Sequence, residues 1–217
     1  VLGDGGYIPT PVAFLQGLRE RADKHGIVLI IDEVQAGVGR TGKFWGHDWA
    51  GIRPDVVITA KGLASGFPIS AIAASAELMG KAWPGSQGGT YGGNAVAAAA
   101  GVATLGVIKR ENLVENARLR GDELRTGLEA LQTEFTGIGN VRGRGLMQGV
   151  EFTAADKTPD AATALAVQQA AIKEELLLLT CGPNGNVIRL IPALNVSSDE
   201  IQVGLSKFTQ ALKSATS

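Results

Sequence analysis

Apolar positions recur first at helical spacing. Val12, Leu15, Leu18 and Ala22 fall on one face of a helix that Thr10 can cap. Pro11 stands at its first position, where a missing N–H costs nothing, and Gly26 supplies the stop. The pattern then becomes an unbroken apolar run, Ile27-Val28-Leu29-Ile30-Ile31, ending at Asp32-Glu33. Such a run predicts a parallel strand covered on both faces. Val56-Val57-Ile58 predicts a second, ending at Thr59-Ala60-Lys61-Gly62, and Ile69 to Ala73 a third. Helix followed by buried strands indicates an α/β layer fold.

Ala and Val dominate from Asn94 to Lys109, which predicts a largely buried helix. Leu113, Ala117, Leu124, Leu128, Leu131 and Phe135 then mark a longer amphipathic helix with Arg and Glu on its outer face. The change of composition near Arg110 divides the chain into expected domains 1–110 and 111–217. In the second, Val141 to Phe152 and Val187 to Leu190 read as strands, with a helix between them over 161–175. Ser197 and Glu200 form a capping box opening a last helix whose core face is Ile201, Leu205, Phe208 and Leu212. This half is a smaller α+β unit.

At 217 residues and 45% hydrophobic, the chain can bury a substantial core. Twenty basic residues against twenty-one acidic ones, with no basic run, argue against nucleic acid and anionic membrane surfaces as partners. No apolar stretch approaches a membrane span, and the N-terminus carries no signal pattern. The single Cys181 cannot form an internal disulfide, and His25 and His47 without Cys partners give no metal site. A reducing, cytoplasmic setting is expected. Val1-Leu2-Gly3-Asp4-Gly5-Gly6 reads as a loop cut in its middle, so a fragment is expected.

In open α/β sheets, functional groups gather at the carboxyl edge of the strands. Asp32 and Lys61 both stand at such ends. Separately, Asp32 caps a turn and Lys61 reaches solvent. Together, an amine able to form a Schiff base and a carboxylate able to keep a pyridine nitrogen protonated suit an aldehyde cofactor. Gly37-Val38-Gly39-Arg40-Thr41-Gly42-Lys43 imitates nucleotide-binding loops, but Phe44 replaces the hydroxyl residue of a phosphate loop and no amphipathic helix follows. His47-Asp48 has no serine nucleophile to serve and reads as a surface or interface pair; Trp45, Trp49 and Trp83 read as packing or interface anchors.

Leu29 to Gln35, Gly39-Arg40-Thr41-Gly42, Pro54-Asp55, Lys61 to Ala64 and Phe67-Pro68-Ile69 resemble the cofactor segment of the class III (omega) aminotransferases. Gly89 to Asn94, Val141 to Met147 and Val187-Ile188-Arg189 complete the same order over nearly the whole chain. Within the family the likeness is greatest to bacterial 4-aminobutyrate aminotransferases. The resemblance implies part of the mostly parallel, fold type I large-domain sheet, then the small α+β domain. It implies pyridoxal 5'-phosphate as cofactor, with Lys61 as the catalytic Schiff-base lysine and proton shuttle, Asp32 at the pyridinium nitrogen, Val34 on the ring face and Gln35 near the ring hydroxyl. Thr90 would bind the phosphate of the neighbouring subunit, making a homodimer, and Arg189 would clamp a substrate carboxylate. The plainer readings are a turn threonine at 90 and a surface ion pair at 189. The implied activity is transamination between an omega-amino acid and 2-oxoglutarate. Ornithine, acetylornithine and diamine aminotransferases and aminomutases share these motifs, and a non-catalytic fragment awaiting its upstream half is the alternative. Ala95 and Ala193 stand where relatives often carry proline, and the family's upstream phosphate loop and stacking aromatic are not found here.

Overall fold

Helix α1 (Val12–His25) begins one residue later than its sequence suggests: Pro11 is the capping position, and the helix start receives no side-chain cap from Thr10. Gly26 ends it in the left-handed conformation, φ 62°, where its N–H reaches the carbonyls of Ala22 and Asp23. The structure, a computed structural model, describes residues 1–86 and 88–216. It separates into two units, one from Thr10 to Val114 and one combining Val1–Pro9 with the chain from Glu115 onward. Residues 1–9, grouped by the sequence pattern with the first part, thus pack in the second unit.

In the Thr10–Val114 unit, β1 (Ile30–Asp32) lies parallel to β2 (Val56–Thr59), and β3 (Ala71–Ala74) pairs antiparallel with β2. An antiparallel edge on a parallel sheet is a common arrangement. The start of β1 is fixed by Asp55, whose carboxylate accepts the Leu29 N–H at 2.7 Å and the Arg19 guanidinium of α1 at 2.8 Å. The Arg19 hydrogen bond is the main reason its carboxyl titrates below the usual carboxylate range. The short helix α2 (Ala76–Met79) and the long α3 (Ala95–Arg110) follow, α3 capped by the Asn94 side chain on the Ala97 N–H.

Two expectations fail here. Ile27 and Val28 lie outside the ladder, and the strand is not covered on both faces: Ile30 is 54% exposed. Helix α3 is not largely buried either, since only Ala97, Gly101 and Ile108 are enclosed and Val102 is 75% exposed. An all-apolar run encodes a need for cover on both sides, and the described residues do not supply that cover.

In the other unit, α4 (Leu113–Glu134) leads to β4 (Ile138–Arg144) and β5 (Met147–Phe152), α5 (Ala161–Lys173), β6 (Leu179–Cys181), β7 (Val187–Leu190) and α6 (Ser198–Thr216). The stretch read as one strand over 141–152 is a hairpin, because Gly145 at φ 53° turns the chain between Arg144 and Met147. The four strands form an antiparallel sheet in the order β4-β5-β7-β6. Val141, Val150 and Ile188 form one cross-strand row facing the helices, where Leu124, Leu128, Phe208 and Leu212 complete the core. The next row, Arg142, Gly149 and Arg189, faces away from that core by the two-residue alternation of a strand. The capping box of α6 forms as expected, Ser197 N–H to Glu200 at 2.8 Å and Glu200 N–H to Ser197 Oγ at 3.2 Å.

Candidate functional site

Asp32 is the last residue of β1, and Lys61 lies just beyond the carboxyl end of the adjacent parallel strand β2. Asp32 is the register partner of Ile58, and Lys61 stands three residues beyond Ile58. Strand spacing and the reach of three extended residues put their Cα atoms no more than about 12 Å apart. A lysine side chain, a pyridine ring and a short carboxylate laid end to end span such a gap. Asp32 shares its sheet face with Ile58 and Ile72.

The backbone turns sharply at the lysine. Thr59 is the last strand residue, and Lys61 opens a 3-10 turn (Lys61–Leu63) with φ 41°. A left-handed conformation at a non-glycine residue costs about 1–3 kcal/mol and persists only where neighbours impose it. Helix α3 packs beside the turn, where a Cβ on Gly101 would lie in ordinary contact, 3.6 Å from the Leu63 carbonyl oxygen. The lysine side chain is exposed and lines an open depression of about 520 Å3 with Gly62, Ser65, Gly66, Phe67, Pro68 and Ile69. A larger depression of about 1,220 Å3 is lined by ion-paired Arg19 and Asp55 and by Val57 and Ala73, and contains none of the expected site residues. Val57 and Ala73 are paired residues of the sheet face opposite Asp32. Uncommitted chemistry, rather than volume, therefore marks the site.

Asp32 accepts the Val34 N–H at 2.9 Å through Oδ1, so it does cap the turn after β1, while remaining exposed. Val34 and Gln35 are half-buried in that turn. A carboxylate with capacity to spare and an exposed amine at one strand edge fit a pyridine aldehyde: the acid meets a ring N–H, the amine a carbonyl carbon. Thr90 is exposed in the glycine-rich loop before α3, with no described residue placing it against Lys61. The segment Gly37–Gly42 is a series of turns leading to a 3-10 turn over Gly46–Ala50, not a helix start.

Arg189 belongs to the other unit. Its side chain is 19% exposed and its Nη1 pairs with Asp4 Oδ1 at 3.1 Å, Asp4 itself being 95% exposed. Its Nε is buried and has no hydrogen-bond partner. Arg142, two strands away in the same row, donates from Nε to the Gly6 carbonyl at 2.8 Å and pairs with Glu151. Gly149 lies between the two arginines, and a Cβ there would crowd the Tyr7 Cβ at 3.0 Å where the Gly3–Tyr7 loop rests on the sheet. Cys181, on the neighbouring strand, has its thiol pushed up by burial, partly offset by Arg189 and Arg142.

Sequence reasoning missed two of these relations. Asp4, 185 residues before Arg189, carries no local signal as its partner. His47 is not the surface pair expected with Asp48, whose Oδ1 lies 3.9 Å away; it is buried and bonded through Nδ1 to Glu33 at 2.8 Å. Trp45 stacks beside it with rings 11° apart, Trp49 donates to the Thr41 carbonyl, and Trp83 is exposed.

Fold and site together describe an α/β chain presenting an amine and a carboxylate at the carboxyl edge of a parallel strand pair. The family model for aminotransferase class-III matches residues 1–212, and the chain belongs to that family, whose enzymes depend on pyridoxal phosphate. It is 38% identical to the diaminobutyrate–2-oxoglutarate aminotransferase of Haemophilus influenzae, with 99% of this chain and 49% of that protein covered. It is 40% identical to the 4-aminobutyrate aminotransferase of Escherichia coli, covering 99% and 51%. A transaminase from the marine bacterium Virgibacillus superposes with a TM-score of 0.93 at 30% identity, covering 99% and 51%. The chain thus spans about half the length of the relatives it matches.

Proposed function

We propose that this chain carries the cofactor lysine of a pyridoxal-phosphate-dependent aminotransferase that moves an amino group from an omega-amino acid resembling 4-aminobutyrate to 2-oxoglutarate. The observation that carries the reading is Lys61, held at φ 41° at a strand end beside the end that bears Asp32. Bound pyridoxal phosphate supplies an electron-withdrawing ring that stores the amine between half-reactions. Asp32 would keep the ring nitrogen protonated, Val34 would pack on the ring face, and Gln35 would hydrogen-bond near the ring hydroxyl. Lys61 would hold the cofactor through its Nζ, and the same amine would carry the proton of the donor's amine-bearing carbon.

Arg189 receives a substrate carboxylate. Its present partner is displaceable, because an ion pair with one fully solvated member is worth about 0–1 kcal/mol. Thr90, exposed on a glycine-rich loop, serves the phosphate of a neighbouring subunit in a homodimer, and the protein works in the cytoplasm. Similarity to relatives named for diaminobutyrate and for 4-aminobutyrate supports the reaction class more than the donor. The test is glutamate formation from 2-oxoglutarate across a donor panel, with 4-aminobutyrate expected fastest. Preference for ornithine or another diamine would overturn the donor assignment.

The exposed apolar sides of β1 and α3 favour a second reading, in which the chain captures cofactor without turnover until a complementary segment covers them. Adduct formation without glutamate production, restored by adding the upstream half of a class III enzyme, distinguishes it.

A further inference from the structure

One buried charge in the Thr10–Val114 unit has no part in the chemistry above. Glu33 directly follows Asp32 and is 1% exposed. Its carboxylate accepts three donors: the Gly46 N–H at 2.9 Å on Oε2, and the His47 N–H at 2.9 Å and His47 Nδ1 at 2.8 Å on Oε1. Paired with a carboxylate, which in its ionised form only accepts, His47 acts as donor in the tautomer that carries hydrogen on Nδ1. Burying such a group is costly unless each bond is made, so the set is either complete or strongly destabilising.

Glu33 reaches both expected cofactor residues through its backbone and the turn that follows. Its N–H bonds to the Ile58 carbonyl at 2.8 Å, which ties the end of β1 to the end of β2 just before Lys61. Its carbonyl accepts the Gly37 N–H at 3.0 Å, closing the turn that holds Val34 and Gln35. That turn runs on to buried Val38, whose side chain borders Gly62: a Cβ on Gly62 would lie 3.5 Å from the Val38 Cβ. The closure leaves no spare room. A Cβ at Gly46 would meet Glu33 Oε2 at 3.0 Å, and one at Gly37 would meet the Trp45 ring at 2.9 Å.

We infer that the Glu33 carboxylate, clamped by His47, is a positioning group that fixes the separation between Asp32 and Lys61. The inference rests on the cofactor reading above and deepens it. Glu33 holds the carboxylate end of the site through the adjacent residue, and the lysine end through Val38 against Gly62. Its clamp is His47 rather than solvent, so the spacing depends on a side chain fifteen residues beyond Asp32.

The test compares His47→Leu, which removes the Nδ1 donor, with His47→Asn, whose amide N–H can replace it. Pyridoxal phosphate itself is the probe, titrated by its visible band and trapped on Lys61 with borohydride; melting of the cofactor-free proteins is recorded alongside. Positioning predicts a dissociation constant raised roughly 10- to 100-fold in His47→Leu and restored to within about threefold of wild type in His47→Asn. A purely structural clamp would lower the melting temperature of His47→Leu while the folded fraction bound cofactor like wild type, which overturns the inference. If wild type forms no adduct at Lys61, the cofactor reading fails and the inference falls with it, a result separable from the first because it appears without any substitution.

Discussion

Replacing Asp4 with asparagine keeps the backbone carbonyl that accepts the Gly182 N–H but removes the charge facing Arg189. The contact is 3.1 Å long, with Arg189 19% exposed and Asp4 95% exposed. High solvent exposure on the acid side limits the pair to about 0–1 kcal/mol, or at most about a fivefold change in an equilibrium constant at RT near 0.59 kcal/mol. On the proposed assignment of Arg189 to a substrate carboxylate, that group must displace Asp4, so Asp4→Asn is expected to lower the dissociation constant for 2-oxoglutarate by up to about fivefold, and by less at high salt. Arg189→Ala is the companion variant. Losing charge-assisted hydrogen bonds worth about 1.5–3 kcal/mol weakens binding by roughly 10- to 150-fold. Calorimetric titration of wild type and both variants at two ionic strengths measures these values. Weaker binding in Asp4→Asn would show that Asp4 orients the arginine instead of competing for it, and unchanged binding in Arg189→Ala would remove Arg189 from the site.

Three further outcomes are expected. Asp32→Asn removes the carboxylate proposed to keep the ring nitrogen protonated and is expected to lower turnover by about 100- to 1,000-fold, measured as glutamate formation; a loss below tenfold would discount that pairing. Gly121→Ala pushes a Cβ to 2.3 Å from the backbone carbon and oxygen of Gly145, where α4 meets the hairpin turn. Overpacking of about 1–3 kcal/mol lowers the melting temperature by roughly 2–12 °C, and an unchanged transition in a thermal scan would contradict the packing. Burial raises the Cys181 thiol, so the neutral form is favoured in the fold: that stabilisation is present below the unfolded value and is lost as pH rises through the raised one. Alkylation by iodoacetamide then has its pH midpoint above the roughly 8.5 of a free thiol, and a midpoint at or below it would refute the burial argument.

The helices were legible because their signals are local. Gly26 and the Ser197–Glu200 pair each mark an end within one turn, and each does so in the structure, whereas the cap expected from Thr10 does not form. Asp32 and Lys61 were legible as candidates because charged residues at or just past the ends of apolar runs stand out, and the register of β1 and β2 brings those strand ends side by side. Cover was not legible. The run from Ile27 to Ile31 states that two faces need burial, but not whether these residues provide it. The hairpin at Gly145 does have a local signal, Gly143-Arg144-Gly145, which a single strand over 141–152 passes over, whereas β6 is hidden because three residues, Leu179–Cys181, give no period to detect. Long-range pairs were also invisible. Nothing near Glu33 announces His47, and the neighbouring Asp48 offered a more obvious but unused partner.

The account turns on which amine takes the cofactor aldehyde. Borohydride reduction of the purified protein with pyridoxal phosphate, followed by peptide mass mapping, tests this most directly. A reduced adduct on the peptide containing Lys61, with no visible band in Lys61→Ala and helical circular dichroism unchanged, is the predicted result. An adduct on a different lysine, or a band that survives Lys61→Ala, would contradict the account.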